Sequence, residues 1–453
     1  MSRIVTSSDA SATARKYRWY RELNSYHWLA LSVTCLGWMF DTMAQQLFSL
    51  ARKPAIAELM GGHASDAAVS EQAGYATMIF MMGWGLGGLL FGVLGDRLGR
   101  AKTMMLTVLA YTIFTGASMA AVTVWQFHAF RFLCGLGVGG QFAVGVALVA
   151  EVIPARARPY ALGVVQASSS VGNMLAALTG ILLGQLQQAG SIAGAWRYLF
   201  LAGAAPAPLA IVIFRKLKEP EQWLNARAQK ARMGSFADLF REPQWRRNAI
   251  VGMLLSFSGV VGLWGIGYFS YDLLRPVLQQ AFSAQGFAGR ELAGKITMWI
   301  GLTSLLQNIG GFLGVCAFTY VTHYTGRKIA FAISFVTAAC ATALAFAELK
   351  QLSEIFWMIP LMGFSQMALF GGYSIYLPEL FPTRLRSTGT SFCYNVGRFA
   401  AALGPLGLGL LTSRVFHGPD AMRYAGVAMC SAFAVGLAAL PFAPETKDQP
   451  LPD

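Results

Sequence analysis

Glu151-Val152-Ile153-Pro154-Ala155-Arg156-Ala157-Arg158 and Glu379-Leu380-Phe381-Pro382-Thr383-Arg384-Leu385-Arg386 are one pattern written twice, E-x-x-P-x-R-x-R. The offset is 379 − 151 = 228 in a chain of 453 residues. Near the same offset, Gly99-Arg100 recurs as Gly326-Arg327, and Cys134-Gly135-Leu136 as Met362-Gly363-Phe364. The chain therefore reads as two homologous halves. Each copy lies where a long apolar run gives way to basic residues, and internal symmetry within apolar sequence is a mark of transport folds.

Composition agrees. Hydrophobic residues are 55% of the chain, charged residues only 12%, and mean hydropathy is +0.50. Soluble domains average roughly 25% charged, so these charges are too few to cover a water-facing surface and lipid is the expected solvent. The 49 glycines suit helices that pack through small faces. Cys35, Cys134, Cys316, Cys340, Cys393 and Cys430 lie singly inside apolar runs; neither a disulfide framework nor a metal site is implied.

About 20 apolar residues cross a bilayer. On that basis spans are expected near 27–50, 72–94, 103–122, 125–149, 160–187, 196–214, 249–274, 296–321, 329–347, 353–376, 387–411 and 422–442. That is an all-α membrane protein of twelve helices, six per half. The first bundle covers 1–214, a polar linker 215–247, and the second bundle 248–453. The amphipathic run Phe236–Trp245 of the linker is expected on the membrane surface. The net charge of +14 raises the question of nucleic acid. Its distribution answers it: lysines and arginines crowd alternate connectors and the linker, which places those connectors and both termini in the cytoplasm. The polar first 25 residues lack a cleavable apolar segment and are expected to be retained.

Gly92-Val93-Leu94-Gly95-Asp96-Arg97-Leu98-Gly99-Arg100-Ala101-Lys102 resembles the G-x-x-x-D-R-x-G-R-[RK] loop of the major facilitator superfamily, with Ala101 departing from the last position. Arg131-Phe132-Leu133-Cys134-Gly135-Leu136-Gly137-Val138-Gly139-Gly140 is similar to the R-x-x-x-G-x-G-x-G motif in span 4 of that family. The paired E-x-x-P-x-R-x-R segments and Pro444-Glu445-Thr446-Lys447 look like its sugar-porter and metabolite:proton symporter branches. The resemblance covers nearly the whole chain. It implies two six-helix bundles around a central cavity, working by alternating access, and a latch between the halves. Gly92, Asp96, Arg97, Gly99, Arg100, Glu151 and Arg156 would form the latch, with Gly326, Arg327, Glu379 and Arg384 in the second copy. That copy has His323 where the acid belongs, so a weaker latch is expected there.

Three charges fall inside spans, where an ionisable residue is costly and usually pairs or lines a wet cavity. Asp41 in span 1 and Arg131 in span 4 are expected at similar depth. In proton-coupled relatives such an arginine tunes a proton-carrying aspartate; the plain alternative is a static ion pair that fixes helix packing. Organic-acid symporters of this branch often carry D-x-x-D in span 1, whereas this chain has Asp41-Thr42-Met43-Ala44. Arg398 in span 11 finds no matching acid at its depth in the second half. A substrate carboxylate suits a guanidinium fork; helix carbonyls or water are the alternative.

Gln45, Gln166, Asn173, Tyr268, Gln307, Asn308, Gln366, Tyr373, Tyr394 and Asn395 are the other candidate substrate contacts, each weighed against an ordinary interhelical hydrogen bond. No catalytic dyad or metal cluster is apparent, and no cofactor is implied. The expected activity is proton-coupled symport of a small organic anion (a monocarboxylate, aromatic acid or sugar acid) by a monomer in a bacterial-type inner membrane. A neutral sugar symporter and a transporter-like sensor that binds without transporting are the alternatives.

Overall fold

The computed structural model describes residues 18–62, 64–188, 190–192, 194–266, 270–404, 411–418 and 420–452. In the first half, α1 spans Ser25–Leu59, α2 Asp66–Arg97, α3 Arg100–Met119, α4 Val124–Val152 and α5 Arg158–Gln188. The sixth span is broken at Ala205-Pro206 into α6 (Ala195–Ala204) and α7 (Ala207–Lys216), because proline removes a backbone donor. The linker folds α8 (Glu221–Ala228) and α9 (Phe236–Arg241). The second half contains α10 (Pro243–Val260), α11 (Ser270–Ala284), α12 (Gly289–Thr325), α13 (Arg327–Glu348), α14 (Leu352–Glu379) and α15 (Arg386–Ala402), then α16 (Ala421–Met429) and α17 (Ala432–Ala439). A π-helical turn, Val261–Ile266, follows α10. Among the described residues nine spans are long and apolar enough to cross a membrane; α1 and α3 are more polar, and α15 is shorter at 17 residues.

The halves repeat each other in packing as in sequence. A side chain at Gly87 would strike the Leu136 carbonyl of α4, and one at Gly314 the Phe364 carbonyl of α14. Glycine at these places lets α2 meet α4, and α12 meet α14, backbone to backbone. The connector glycines also correspond. Gly99 has φ 112° and Gly326 φ 88°, a region that favours glycine. Each lies against a carboxylate that caps the following helix. Glu219 of the linker accepts from the N–H groups of Arg100, Ala101 and Lys102 at 2.5, 3.2 and 3.2 Å. Glu445 accepts from Arg327 and Lys328 at 2.9 and 3.1 Å.

The same connectors carry the ion pairs. Arg100 forks onto Glu151 at 3.1 and 2.8 Å, and Arg327 forks onto Glu379 at the same two distances. The halves then join asymmetrically. Asp96 accepts from Ser387 N (3.1 Å), Thr388 N (2.8 Å) and Thr388 Oγ1 (2.6 Å), so a first-half carboxylate caps the N-terminus of second-half α15. Glu151 also receives Arg386 at 2.8 Å, and Arg100 donates to the Thr383 carbonyl at 2.8 Å. Gly92 packs on Ser391 of α15. At the matching place in the second copy, His323 packs on the ring of Tyr160 at 5.5 Å. In the E-x-x-P-x-R-x-R motif it is Arg386, not Arg384, that reaches across between the halves. Arg384 turns to the linker, bonding Glu242 at 2.5 Å, while Arg156 lies exposed.

The linker corrects a second expectation. Phe236 and Phe240 of α9 pack on Phe392 of α15 with ring centroids 6.4 and 5.1 Å apart, and Leu239 and Trp245 are buried. The amphipathic run covers protein rather than membrane, because the inner end of α15 offers it an apolar seat. Arg97 donates to the Gly234 carbonyl at 3.0 Å, and Trp223 donates to the Asp96 carbonyl at 2.6 Å, so the linker is fastened to α2 as well.

Two tests follow from the asymmetry of these contacts. Asp96→Asn keeps the shape but loses charge-assisted bonds to α15, each worth about 1.5–3 kcal/mol. Cysteine accessibility at the linker face is expected to rise at least tenfold, whereas His323→Ala leaves it near wild type. Glu445 acts within one half. Burial pushes its carboxyl up, but the N–H bonds from Arg327, Lys328 and Lys447 outweigh this and hold it below the usual glutamate range. The folded state thus favours the charged form, and its stabilisation is present at neutral pH and lost as pH falls through that lowered value. Glu445→Gln is expected to lower stability by about 1 kcal/mol at neutral pH. Thermal unfolding should show this difference shrinking below about pH 4, with no change in linker-face accessibility.

Candidate functional site

The centre of the molecule is built by α1 and α2 from the first half and α15 from the second. Trp38, Asp41 and Gln45 fall at i, i+3 and i+7 on α1 and share a face; all three are buried. Neither carboxylate oxygen of Asp41 has a hydrogen-bond partner among the described residues, nor has Gln45 Nε2. Arg398 is the cation that acts on the Asp41 carboxylate through space, from the opposite half. Its guanidinium lies between two rings, Trp84 of α2 at 4.0 Å and Tyr394 at 4.2 Å. One nitrogen donates to the Tyr394 carbonyl at 2.5 Å, and Nε is unpartnered among the described residues. The planar, weakly hydrated arginine head is the cation that suits contact with aromatic faces.

Aromatic rings continue the wall across the boundary between the halves. Tyr394 stacks on Phe142 of α4 at 3.9 Å, and Phe142 meets Trp38 at 5.1 Å. Trp84 meets Trp264, of the π turn after α10, edge-on at 5.4 Å. Tyr111 of α3 is fully buried, its hydroxyl has no partner among the described residues, and it lies within the field of Asp41. Trp84, Phe142 and Tyr111 were not among the residues singled out from sequence. A glycine on each side of Trp84, at Gly83 and Gly85, was the available signal for the first.

Asp41 and Arg131 do not pair in this conformation. Arg131 donates from Nε to Ser118 Oγ at 3.0 Å and from a terminal nitrogen to the Phe114 carbonyl at 3.0 Å. It lies over the Phe200 ring at 4.6 Å. Helix α1 continues to Leu59, beyond the expected end at 50. Cys134, one turn below Arg131 on α4, is the residue affected by both charges. Ala44, where the branch often has a second acid, is buried and lies near Gly203 of α6.

The remaining candidates divide. Asn395 belongs to the contact between halves, donating to the Ser391 carbonyl at 3.0 Å and packing on Gly88. Asn173 of α5 donates to Asn308 of α12 at 3.0 Å, also across the halves. Gln166 bonds Ser169 on its own helix at 3.3 Å. Gln366 donates to Thr342 at 3.0 Å, and the Tyr373 hydroxyl donates to the Leu255 carbonyl at 2.7 Å. These last two tie the second bundle together internally. Gln307 is half-buried on α12, and Tyr268 lies outside the described residues. Among the described residues no cluster of three or more metal-ligating side chains occurs.

Comparison with known proteins agrees with this architecture. The chain is 28% identical over 401 residues to a protein of Cupriavidus pinatubonensis named as a probable 4-methylmuconolactone transporter, covering 88% of this chain and 87% of that one. It is 26% identical over 417 residues to the niacin transporter NiaP of Acinetobacter baylyi, covering 85% and 87%. In fold it is similar to the proton:xylose symporter XylE, with a TM-score of 0.70 at 18% identity, over 94% of this chain and 98% of that one. The model of the Major Facilitator Superfamily matches residues 31–405. The chain belongs to the Major Facilitator Superfamily, a family of multi-pass membrane transporters.

Proposed function

We propose that this protein imports a small organic anion together with a proton, by alternating access, across a bacterial-type inner membrane with its linker face in the cytoplasm. The observation that carries this reading is that two buried charges, Asp41 of one half and Arg398 of the other, lie within each other's field without forming an ion pair. Each half contributes one charge, and among the described residues neither forms an ion pair within its own half. A substrate carboxylate that takes Arg398 leaves Asp41 without its counter-charge. A buried, unpaired carboxylate is costly unless it is protonated, so substrate and proton enter together. The aromatic wall of Trp84, Phe142 and Tyr394 suits an apolar or planar substrate body. The names of the two relatives point the same way, since niacin and 4-methylmuconolactone are both small carboxylic acids. The positive charge of the linker-side connectors supports the orientation.

A neutral sugar fits less well. Of the amide and hydroxyl side chains that would hold its hydroxyls, Gln366, Tyr373, Asn173 and Asn308 already bond within the protein. Asp41 stands without the second acid of the branch, since Ala44 occupies that position.

Three substitutions test the scheme in proteoliposomes. Asp41→Asn is expected to abolish accumulation driven by a pH gradient while substrate exchange persists; accumulation by the variant would remove Asp41 from the coupling role. Arg398→Lys keeps the charge but loses the two-pronged donor, and carboxylate affinity should fall about tenfold or more. Arg398→Gln should lose organic-acid binding altogether. If instead a sugar stabilises the wild type in a thermal-shift screen and Arg398→Gln leaves that stabilisation unchanged, the sugar reading replaces this one.

A further inference from the structure

A groove of about 370 Å³ opens on the outer wall of the second half, between α10 and the end of the chain's last span. It is apart from the centre: neither Asp41 nor Arg398 lines it. Two arginines stand at its linker-face mouth, Arg246 and Arg247, both exposed. Arg247 donates from Nε and a terminal nitrogen to the Phe442 carbonyl at 3.2 and 3.1 Å. That contact holds the guanidinium at the rim without neutralising it, since a carbonyl carries no net charge. Among the described residues no ion pair involves Arg246 or Arg247. Below them the walls are apolar: Ile250 is 43% exposed and Phe442 61% exposed, and Val251, Leu254 and Ala439 also line the groove.

This combination selects an occupant. From Arg246 to Leu254 is eight residues of helix, about 12 Å. The groove thus runs from the headgroup level, where the basic connectors lie, into the depth of the acyl chains. A small soluble anion would use the arginines and leave the apolar walls uncovered. A neutral lipid would cover the walls and leave two cations uncompensated. Basic recesses between helices on the positively charged face of a membrane protein are where anionic headgroups bind.

We propose that this groove binds an anionic phospholipid, its phosphate held by Arg246 and Arg247 and one acyl chain laid along Ile250, Leu254 and Phe442. The bound lipid would brace α10, the helix that continues through the π turn to Trp264 and its contact with Trp84. Lipid at the outer wall and the aromatic wall of the centre are thereby joined by one helix.

Native mass spectrometry of the full-length protein in detergent, titrated with dioleoyl-phosphatidylglycerol, tests this. The wild type is expected to retain one such lipid, and dioleoyl-phosphatidylcholine at least tenfold less. Each arginine near a membrane surface contributes about fivefold to anionic-lipid affinity. Arg246→Gln should therefore weaken retention about fivefold and Arg246→Gln/Arg247→Gln about 25-fold, while Lys230→Gln on the linker leaves it unchanged. Arg246→Gln keeps the Arg247–Phe442 contact and serves if the double variant does not fold. Leu254→Ser should also weaken retention, and inorganic phosphate should not displace the lipid. Equal retention by wild type and Arg246→Gln, or equal retention of phosphatidylcholine, overturns the proposal. Displacement by phosphate overturns the lipid assignment in favour of a free anion.

Discussion

The fork of Arg100 on Glu151 is the contact on which the linker face depends. Both side chains are fully shielded from solvent. A buried pair adds little net stability compared with an apolar replacement, but removing one partner leaves an uncompensated charge, at a cost of about 3–5 kcal/mol. What such a pair secures is arrangement. Arg100 has three further obligations, to Asp96, to the Gly95 carbonyl and to the Thr383 carbonyl of the other half. Glu151 also holds Arg386. One arginine thus fixes the connector between α2 and α3, the end of α4 and the start of α15 at once. The duplicate fork of Arg327 on Glu379 does the same work inside the second half, but without an acid like Asp96 to reach across. Duplication supplied two scaffolds, and the difference between Asp96 and His323 made only one of them a clasp between halves.

The centre follows a different rule. Its charges are few, buried and contributed by opposite halves, so any relative motion of the bundles changes their separation. Arg398 is held by aromatic faces and one carbonyl, which orient the guanidinium while leaving Nε unused. Asp41 has Gln45 beside it on α1 but, among the described residues, no ion pair. The stiff partner belongs to the second half and the unpaired one to the first. Aromatic stacking between Phe142 and Tyr394 closes the same boundary with contacts that need no polar partner, and ring faces can slide where hydrogen bonds would have to break.

Much of the fold was legible because lipid permits few solutions. Twelve apolar runs and alternating basic connectors leave only helices that satisfy their own backbone groups, and the doubled E-x-x-P-x-R-x-R pattern gave away the symmetry. The connector residues were legible for a similar reason: Gly99 and Gly326 had to precede helices, and Glu151 and Glu379 had to find cations. Ranking within the motif was not legible, since Arg384 and Arg386 are two residues apart and point to different neighbours. The apolar run at Phe236 could not reveal whether lipid or Phe392 would cover it.

The amino-acid sequence by itself determined the membrane class, the two halves and the presence of buried charges at Asp41, Arg131 and Arg398, because composition and periodicity report what solvent each segment needs. Which charges meet was decided only by the tertiary structure. Partnership depends on helix length and rotation, which a linear pattern does not carry. Arg131 bonds Ser118 and the Phe114 carbonyl inside the first half, whereas Asp41 lies in the field of Arg398 from the other half.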